Sequence, residues 1–105
     1  MTVDGTEGGQ ITLAQGAAMT AKYRAENPTG VKARLFGKDC IQALLSQGGG
    51  SVCKGIRMYF GMNEAGEQEI VMVGVDANGN DLLDLVMDMS YPCPKNCSTA
   101  NALNS

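Results

Sequence analysis

The chain has 105 residues and a formal net charge of −3, and it contains neither histidine nor tryptophan. A chain of this length forms one domain with a modest core. Without histidine, no Ser-His-Asp triad, Cys-His pair or HExxH zinc site can form within one chain. The acidic balance disfavours a nucleic-acid partner, because phosphates are bound by basic surfaces.

The organisation of the chain is predicted from its composition. The longest apolar runs, such as IVMVGV, are too short to span a membrane. The opening MTVDGTEGGQ lacks the basic and apolar regions of a signal peptide. We therefore expect a cytoplasmic protein with no membrane partner and no cofactor. Residues 1–10 predict a flexible arm, residues 11–90 an α+β domain, and residues 91–105 a cysteine-containing tail docked on that domain.

The first predicted helix covers residues 12–26. Thr12 and Gln15 fit a capping box, in which each side chain satisfies a backbone amide at the start of a helix. Alanines then recur at helical spacing, and Asn27-Pro28 predicts the end of the helix. A face made mostly of alanine allows close approach but buries little area.

A short strand and a second helix are predicted next. The segment VKARLF, residues 31–36, alternates apolar and basic residues and predicts a short strand. Asp39 can cap the second helix, which has Leu44 on its apolar face and Gly48 as its stop.

Three further segments, at 55–62, 69–76 and 83–89, predict an antiparallel meander. Asn78-Gly79 is a strong hairpin signal between the last two. The last segment also fits helical spacing, but the hairpin turn leads directly into it and favours a strand. The predicted fold is α+β, with two helices packed on a three- to four-stranded antiparallel sheet and an irregular C-terminal tail.

The segment 69–76 is apolar on both faces of the predicted sheet. Val71, Val73 and Val75 point to one face, and Ile70 and Met72 to the other. The helices can cover one face only, and an uncovered row of valines would form an adhesive patch. We expect the second face to be covered either by the C-terminal tail or by another subunit.

Charge is distributed unevenly along the chain. Seven of the eight basic residues lie between positions 22 and 57, and positions 64–88 contain seven acids and no base. The two halves can neutralise each other within one molecule, or a basic face can meet the acidic face of a second copy. The second arrangement gives head-to-tail rings or filaments. Arg34 and Asp84 are the charged candidates for the two ends of that contact.

Four cysteines leave several interpretations open. Cys93 and Cys97 have the spacing of half a zinc site, with Cys40 and Cys53 as the remaining thiolates. Cys93 and Cys97 can also form a local disulfide, or can stay as thiols that seat the tail. Their spacing is one residue too long for a Cys-x-x-Cys redox motif.

The loop DANGND, residues 76–81, resembles the start of an EF-hand in its first, third and fifth positions. The glycine then falls at position four, and Met87 stands where a glutamate is required. The pattern favours a polar hairpin tip over a calcium site.

Four segments carry a resemblance to a group of small uncharacterised bacterial proteins: GKDCIQALL, IRMYFGMNE, VGVDANGND and the ending CPKNC…ALNS. The likeness covers residues 38–105, and the triple glycine before Cys53 departs from the more compact connection of the group. The resemblance implies that Cys93, Cys97 and Leu103 belong to the domain. It implies no activity, cofactor or catalytic residue.

Together these features favour a non-enzymatic interaction or assembly subunit. Its expected partner is itself, head-to-tail, or another protein of a larger bacterial complex. Val71, Val73 and Val75 are the expected apolar contact. The alternative is a small metal- or thiol-based module that uses Cys93 and Cys97 with Cys40 and Cys53.

Overall fold

The computed structural model describes residues 1–105 and confirms the α+β fold. A three-stranded antiparallel sheet has the order β2-β3-β4, and β1 and β5 form a separate two-stranded ribbon. The short first strand therefore pairs with the C-terminal segment and not with the main sheet. The elements are α1 (Leu13–Glu26), β1 (Ala33–Leu35), α2 (Lys38–Leu45), β2 (Gly55–Met62), β3 (Gln68–Val75), β4 (Asp81–Met87) and β5 (Tyr91–Cys93).

Helix α1 begins and ends where the sequence predicts. Thr12 and Gln15 form the capping box, and Asn27 caps the C-terminal end. No residue of α1 is buried. Its end is held to the rest of the molecule by polar contacts, since Tyr23 donates a hydrogen bond to Gln68 Oε1 and Arg24 binds the C-terminal segment.

Helix α2 is the helix that packs on the main sheet. Its N-cap is Gly37, and Asp39 lies in the first turn, so the prediction that Asp39 caps the helix is wrong. Leu44 is fully buried beneath the helix. The chain approaches β3 so closely here that a Cβ at Gly74 would lie 2.7 Å from Gln47 Nε2 and 2.9 Å from Cys53 Sγ. Glycine at this position therefore allows the segment that follows α2 to pack closely against the sheet.

The strands of the main sheet differ in regularity. Strands β2 and β3 pair without interruption from Gly55 opposite Val75 to Met62 opposite Gln68. Between β3 and β4 the register jumps, because Gly74 pairs with Leu82 while the adjacent Val73 pairs with Val86. Residues 83–85 therefore bulge out of β4, and the two-residue alternation of a regular strand is broken there.

The valine face of β3 is covered from within the chain. Val73 and Val75 are buried, and Val71 is half-buried. The neighbouring strands supply part of the cover, since Arg57 of β2 meets Asp81 of β4 across β3. Neither of the two expected covers, the C-terminal tail or a second subunit, is required for Val73 and Val75.

The first residues of the chain lie at the same end of the sheet. Val3 is buried, and its backbone N–H donates to Ala77 O at 2.9 Å. Met1 touches the hairpin tip at Gly79, the glycine whose φ of +83° permits the turn. The segment that the composition predicts as a flexible arm thus contributes an apolar side chain to the core.

The C-terminal segment packs on α1 and the ribbon. Strand β5 pairs with β1, and Lys32 donates a hydrogen bond from Nζ to Asn104 O at 2.6 Å. Arg24 donates to Leu103 O at 2.5 Å and to Ser105 O at 3.1 Å. This placement leaves the valine face of β3 to other parts of the chain, so the tail, one of the two covers considered, does not lie across the valines.

Candidate interaction surface

The molecule exposes more surface than a folded chain of its mass usually does. Its accessible surface is 7403 Å², about 1,800 Å² more than the ~5,600 Å² expected for a monomer of 11.0 kDa. Its radius of gyration is 15.3 Å, against about 13 Å for a compact domain of this length. Nine of the 105 residues are buried. The chain therefore exposes more surface than a compact monomer of its mass usually does.

An apolar stripe, formed by Met58, Phe60 and Met62 and called here the β2 stripe, lies on one face of β2. These side chains are 58%, 81% and 75% exposed. They project to the same face as Met72, because residues two apart in a strand share a face and Met58 lies opposite Met72. Helix α2 packs on the sheet where Met72 is buried and leaves the stripe uncovered, so three large apolar side chains are exposed to solvent on the same face.

A groove lies beside the β2 stripe, between the main sheet and the segment that joins α1 to β1. Its volume is about 750 Å³. Phe60, Met62 and Gln68 line the sheet side, and Tyr23, Val31 and Pro94 line the other side. A second, smaller groove of about 290 Å³ continues from Tyr23 towards Met58 and Ile70. The ribbon and α1 therefore lie above this end of the sheet but do not pack closely against it.

The outer edge of β2 has no partner strand. Asn63 donates its backbone N–H to Glu67 O at 3.0 Å, which fixes the phase of the β2–β3 ladder. Only alternate residues of an antiparallel pair bond to the partner strand, so the odd-numbered residues of β2 face β3. The backbone groups of Ile56, Met58, Phe60 and Met62 point outward, and no other segment of the chain pairs with them.

The opposite face of the sheet carries a charged cluster, Arg57, Tyr59 and Asp81. Arg57 donates from Nη1 to Asp81 Oδ1 at 2.5 Å, and the Tyr59 hydroxyl donates to Asp81 Oδ2. The hydrogen bond from Tyr59, assisted by the one from Arg57, lowers the pKa of Asp81. The same carboxylate raises the pKa of Tyr59 and of Arg57. The cluster is internally neutralised and lies over the valines of β3.

Arg34 lies inside the molecule. Its Nε and Nη2 atoms donate to Gln68 O at 3.1 and 2.9 Å, and Nη2 lies 3.0 Å from Glu69 Oε2. Its side chain is only 8% exposed. Asp84 is exposed in the bulge of β4. Arg34 is therefore occupied by partners of its own chain, and a contact with Asp84 of another copy would require those bonds to break.

The same holds for other basic residues of the first half. Arg24 and Lys32 bind carbonyl groups of the C-terminal segment, and Arg57 binds Asp81. Much of the sequence-level charge asymmetry is thus satisfied within one molecule. Arg34 with Glu69 and Arg57 with Asp81 are the two ion pairs that join the basic half to the acidic half.

The cysteines are divided among three places. Cys93 and Cys97 form a disulfide with their Cα atoms 4.8 Å apart. Cys53 is buried beside Gly74, and Cys40 is a half-buried thiol on α2. No group of three or more cysteine, aspartate or glutamate side chains lies close enough together to hold a metal ion. The structure does not assemble Cys40, Cys53, Cys93 and Cys97 into a four-thiolate site, because α2 and the tail lie in different parts of the fold.

The loop DANGND forms the hairpin tip between β3 and β4. Asp76 Oδ1 accepts hydrogen bonds from the backbone N–H groups of Asn78 and Asn80, each at 2.9 Å. The carboxylate thus caps the backbone of its own turn, as such residues commonly do in loops. This arrangement agrees with the hairpin interpretation of the sequence.

No family model, curated protein or solved structure matches this chain. Neither helix has both the length and the apolar character needed to cross a lipid bilayer. The features that stand out are the β2 stripe, the open edge of the same strand and the excess of exposed surface.

The sequence predicts β2 as a strand of the meander but does not show that its outer edge has no partner strand. One signal could have identified the edge. A three-strand meander has two outer strands, and β2 is inside the sheet only if another strand joins it. The candidate, β1, is three residues long and pairs with β5, a choice that depends on the path of the tail and is not encoded locally.

Proposed function

We propose that the protein is a non-enzymatic interaction subunit that assembles with copies of itself or with another protein. The observation that carries the proposal is the exposed surface of 7403 Å². The excess of about 1,800 Å² over a typical monomer exceeds the ~800 Å² that each partner contributes to a standard interface. One stable interface would bring the exposed area close to the value normal for a folded chain.

The chemistry of the exposed side chains supports the same proposal. Complete burial of a Met or Phe side chain stabilises by about 1.5–3 kcal/mol. The three members of the β2 stripe are more than half exposed, so a partner that covers them gains much of that energy. Large apolar side chains clustered in this way are a common mark of a protein contact site.

The charge-driven, head-to-tail form of assembly has weaker support. It requires free basic side chains, and four of the seven in the first half have partners within the chain: Arg24, Lys32, Arg34 and Arg57. An assembly held by the apolar stripe should persist as salt is added, because apolar burial does not depend on charge. A charge-driven assembly should dissociate, because salt screens exposed charges.

Sedimentation velocity across a range of protein and salt concentrations tests the proposal. We expect a species heavier than the 11.0 kDa chain that grows with protein concentration and resists added salt. If no self-association occurs, affinity capture with the purified chain as bait tests the second form, and Phe60→Ala should release the captured protein. A monomer at every concentration, with no partner whose capture depends on Phe60, would contradict the proposal.

A further inference from the structure

The two outer strands of the main sheet, β4 and β2, differ in whether they carry features that prevent pairing with another chain. At the outer edge of β4, residues 83–85 form a bulge that contains Asp84. Bulges and charges are devices that keep a sheet edge from pairing with another chain. Strand β2 has no proline, lysine or bulge, and its one charged residue, Arg57, is bound to Asp81. The β2 edge is thus eight residues long and regular, and residues 1–7, which lie beside its Gly55–Met58 end, do not pair with it.

The sequence of β2 is complementary to itself. In an antiparallel pair centred on Tyr59, Met58 lies opposite Phe60 of the second copy, and Ile56 lies opposite Met62. These are the residues whose backbone groups point outward, so each pair can exchange both of its hydrogen bonds. Methionine sulfur against an aromatic ring is a favourable contact. Arg57 faces Gly61 in this register, so no like charges are brought together.

We propose that the partner is a second copy of this chain, added antiparallel to the outer edge of β2 in the register centred on Tyr59. Two three-stranded sheets become one six-stranded sheet, and the two β2 stripes become neighbours on its face. The contact is isologous and closes as a two-fold dimer. This inference rests on the proposed function and makes it specific, since it names the partner, the strand and the register.

A charge on the edge strand tests which surface is used. Phe60→Lys adds a cation to the β2 stripe, and Leu83→Lys is its matched control, because Leu83 is 71% exposed on the protected edge. We expect Phe60→Lys to raise the dimer dissociation constant by at least about tenfold, a loss of ~1.4 kcal/mol. Leu83→Lys should leave the constant unchanged. Circular dichroism confirms that both variants fold.

Cysteine cross-linking tests the register in a Cys40→Ser background. Residues at the two-fold centre of a non-hydrogen-bonded pair have Cα atoms about 4.5 Å apart, within the range that a disulfide bridges. Tyr59→Cys should therefore give a covalent dimer under mild oxidation. Met62→Cys should not, because the two copies of residue 62 lie about 20 Å apart along the strand.

The outcomes separate this inference from the proposed function. A dimer that weakens with Phe60→Lys and is cross-linked through residue 59 supports both. Self-association that both lysine variants weaken equally, or leave unchanged, overturns the β2 pairing and leaves an interaction subunit that uses another surface. Cross-linking through residue 62 and not residue 59 overturns the register. A chain that stays monomeric overturns the dimer, and capture of a different protein through Phe60 would then preserve the broader function.

Discussion

The two ends of the main sheet contain similar residues and have different environments. At one end Leu44 of α2 and Met72 of β3 are fully buried. At the other end, on the same face, Phe60 and Met62 of β2 stand in solvent. The strands, their pairing and the apolar character are shared, so the difference lies only in what the chain places above each end. Apolar residues on this face are core where a helix reaches them and remain exposed where none does.

The two helices explain why one end is covered. Helix α2 presents a strongly one-sided apolar face and inserts Leu44 into the sheet. Helix α1 is longer but has no buried residue, because its face is built mainly from alanine. It leans over the far end through Tyr23 and leaves a groove of about 750 Å³. The uncovered end is therefore a consequence of α1's composition.

The largest predicted effect is a loss of stability at the covered end of the main sheet. Leu44→Ala should lower the free energy of unfolding by about 3 kcal/mol, because it removes a fully buried side chain and leaves a cavity. Phe60→Ala at the bare end is the matched control and should change the monomer by less than about 0.5 kcal/mol. Urea unfolding, at a concentration where the protein is monomeric, measures both. Equal losses would mean that the two ends are not different in energy.

A smaller loss of stability is expected where Arg34 joins the β1–β5 ribbon to the main sheet. Arg34→Met should lower the free energy of unfolding by about 2–3 kcal/mol, because Glu69 and the carbonyl of Gln68 lose a mostly buried partner. Lys22→Met is the control, since Lys22 is exposed on α1 and makes no hydrogen bond or ion pair. Thermal unfolding followed by circular dichroism compares them. A loss no larger than that of the control would show that the ribbon is held by other contacts.

The smallest predicted effect concerns pH and the cluster over the valines. The pKa of Asp81 is lowered from 3.8 in the folded state, so its contribution to stability is present above that value and is lost as pH falls through the folded pKa. Unfolding midpoints should therefore fall as pH is lowered below about 4, and Asp81→Asn should make that slope shallower. The control is Asp84→Asn, at an exposed carboxylate in the β4 bulge. Identical slopes for the two variants would show that the cluster of Arg57, Tyr59 and Asp81 does not contribute to the acid sensitivity of the fold.

Several elements could be predicted because their signals are local. The capping box of Thr12, the stop at Asn27-Pro28 and the hairpin at Asn78-Gly79 each depend on residues a few positions apart. The β4 bulge could not be predicted in this way, since it is set by the register against β3. The partners of Arg34 were missed for the same reason: Gln68 and Glu69 are distant in the sequence.

The sequence by itself determined the α+β class, the boundaries of α1, the meander from β2 to β4 and the absence of imidazole chemistry. The tertiary structure alone decided which apolar residues are core. Val73 and Val75 are buried on the face where Arg57 of β2 and Asp81 of β4 form their ion pair, whereas Phe60 stays exposed. The physical reason is that turns and helix ends are fixed by neighbouring backbone groups. Burial instead depends on which distant segments come together.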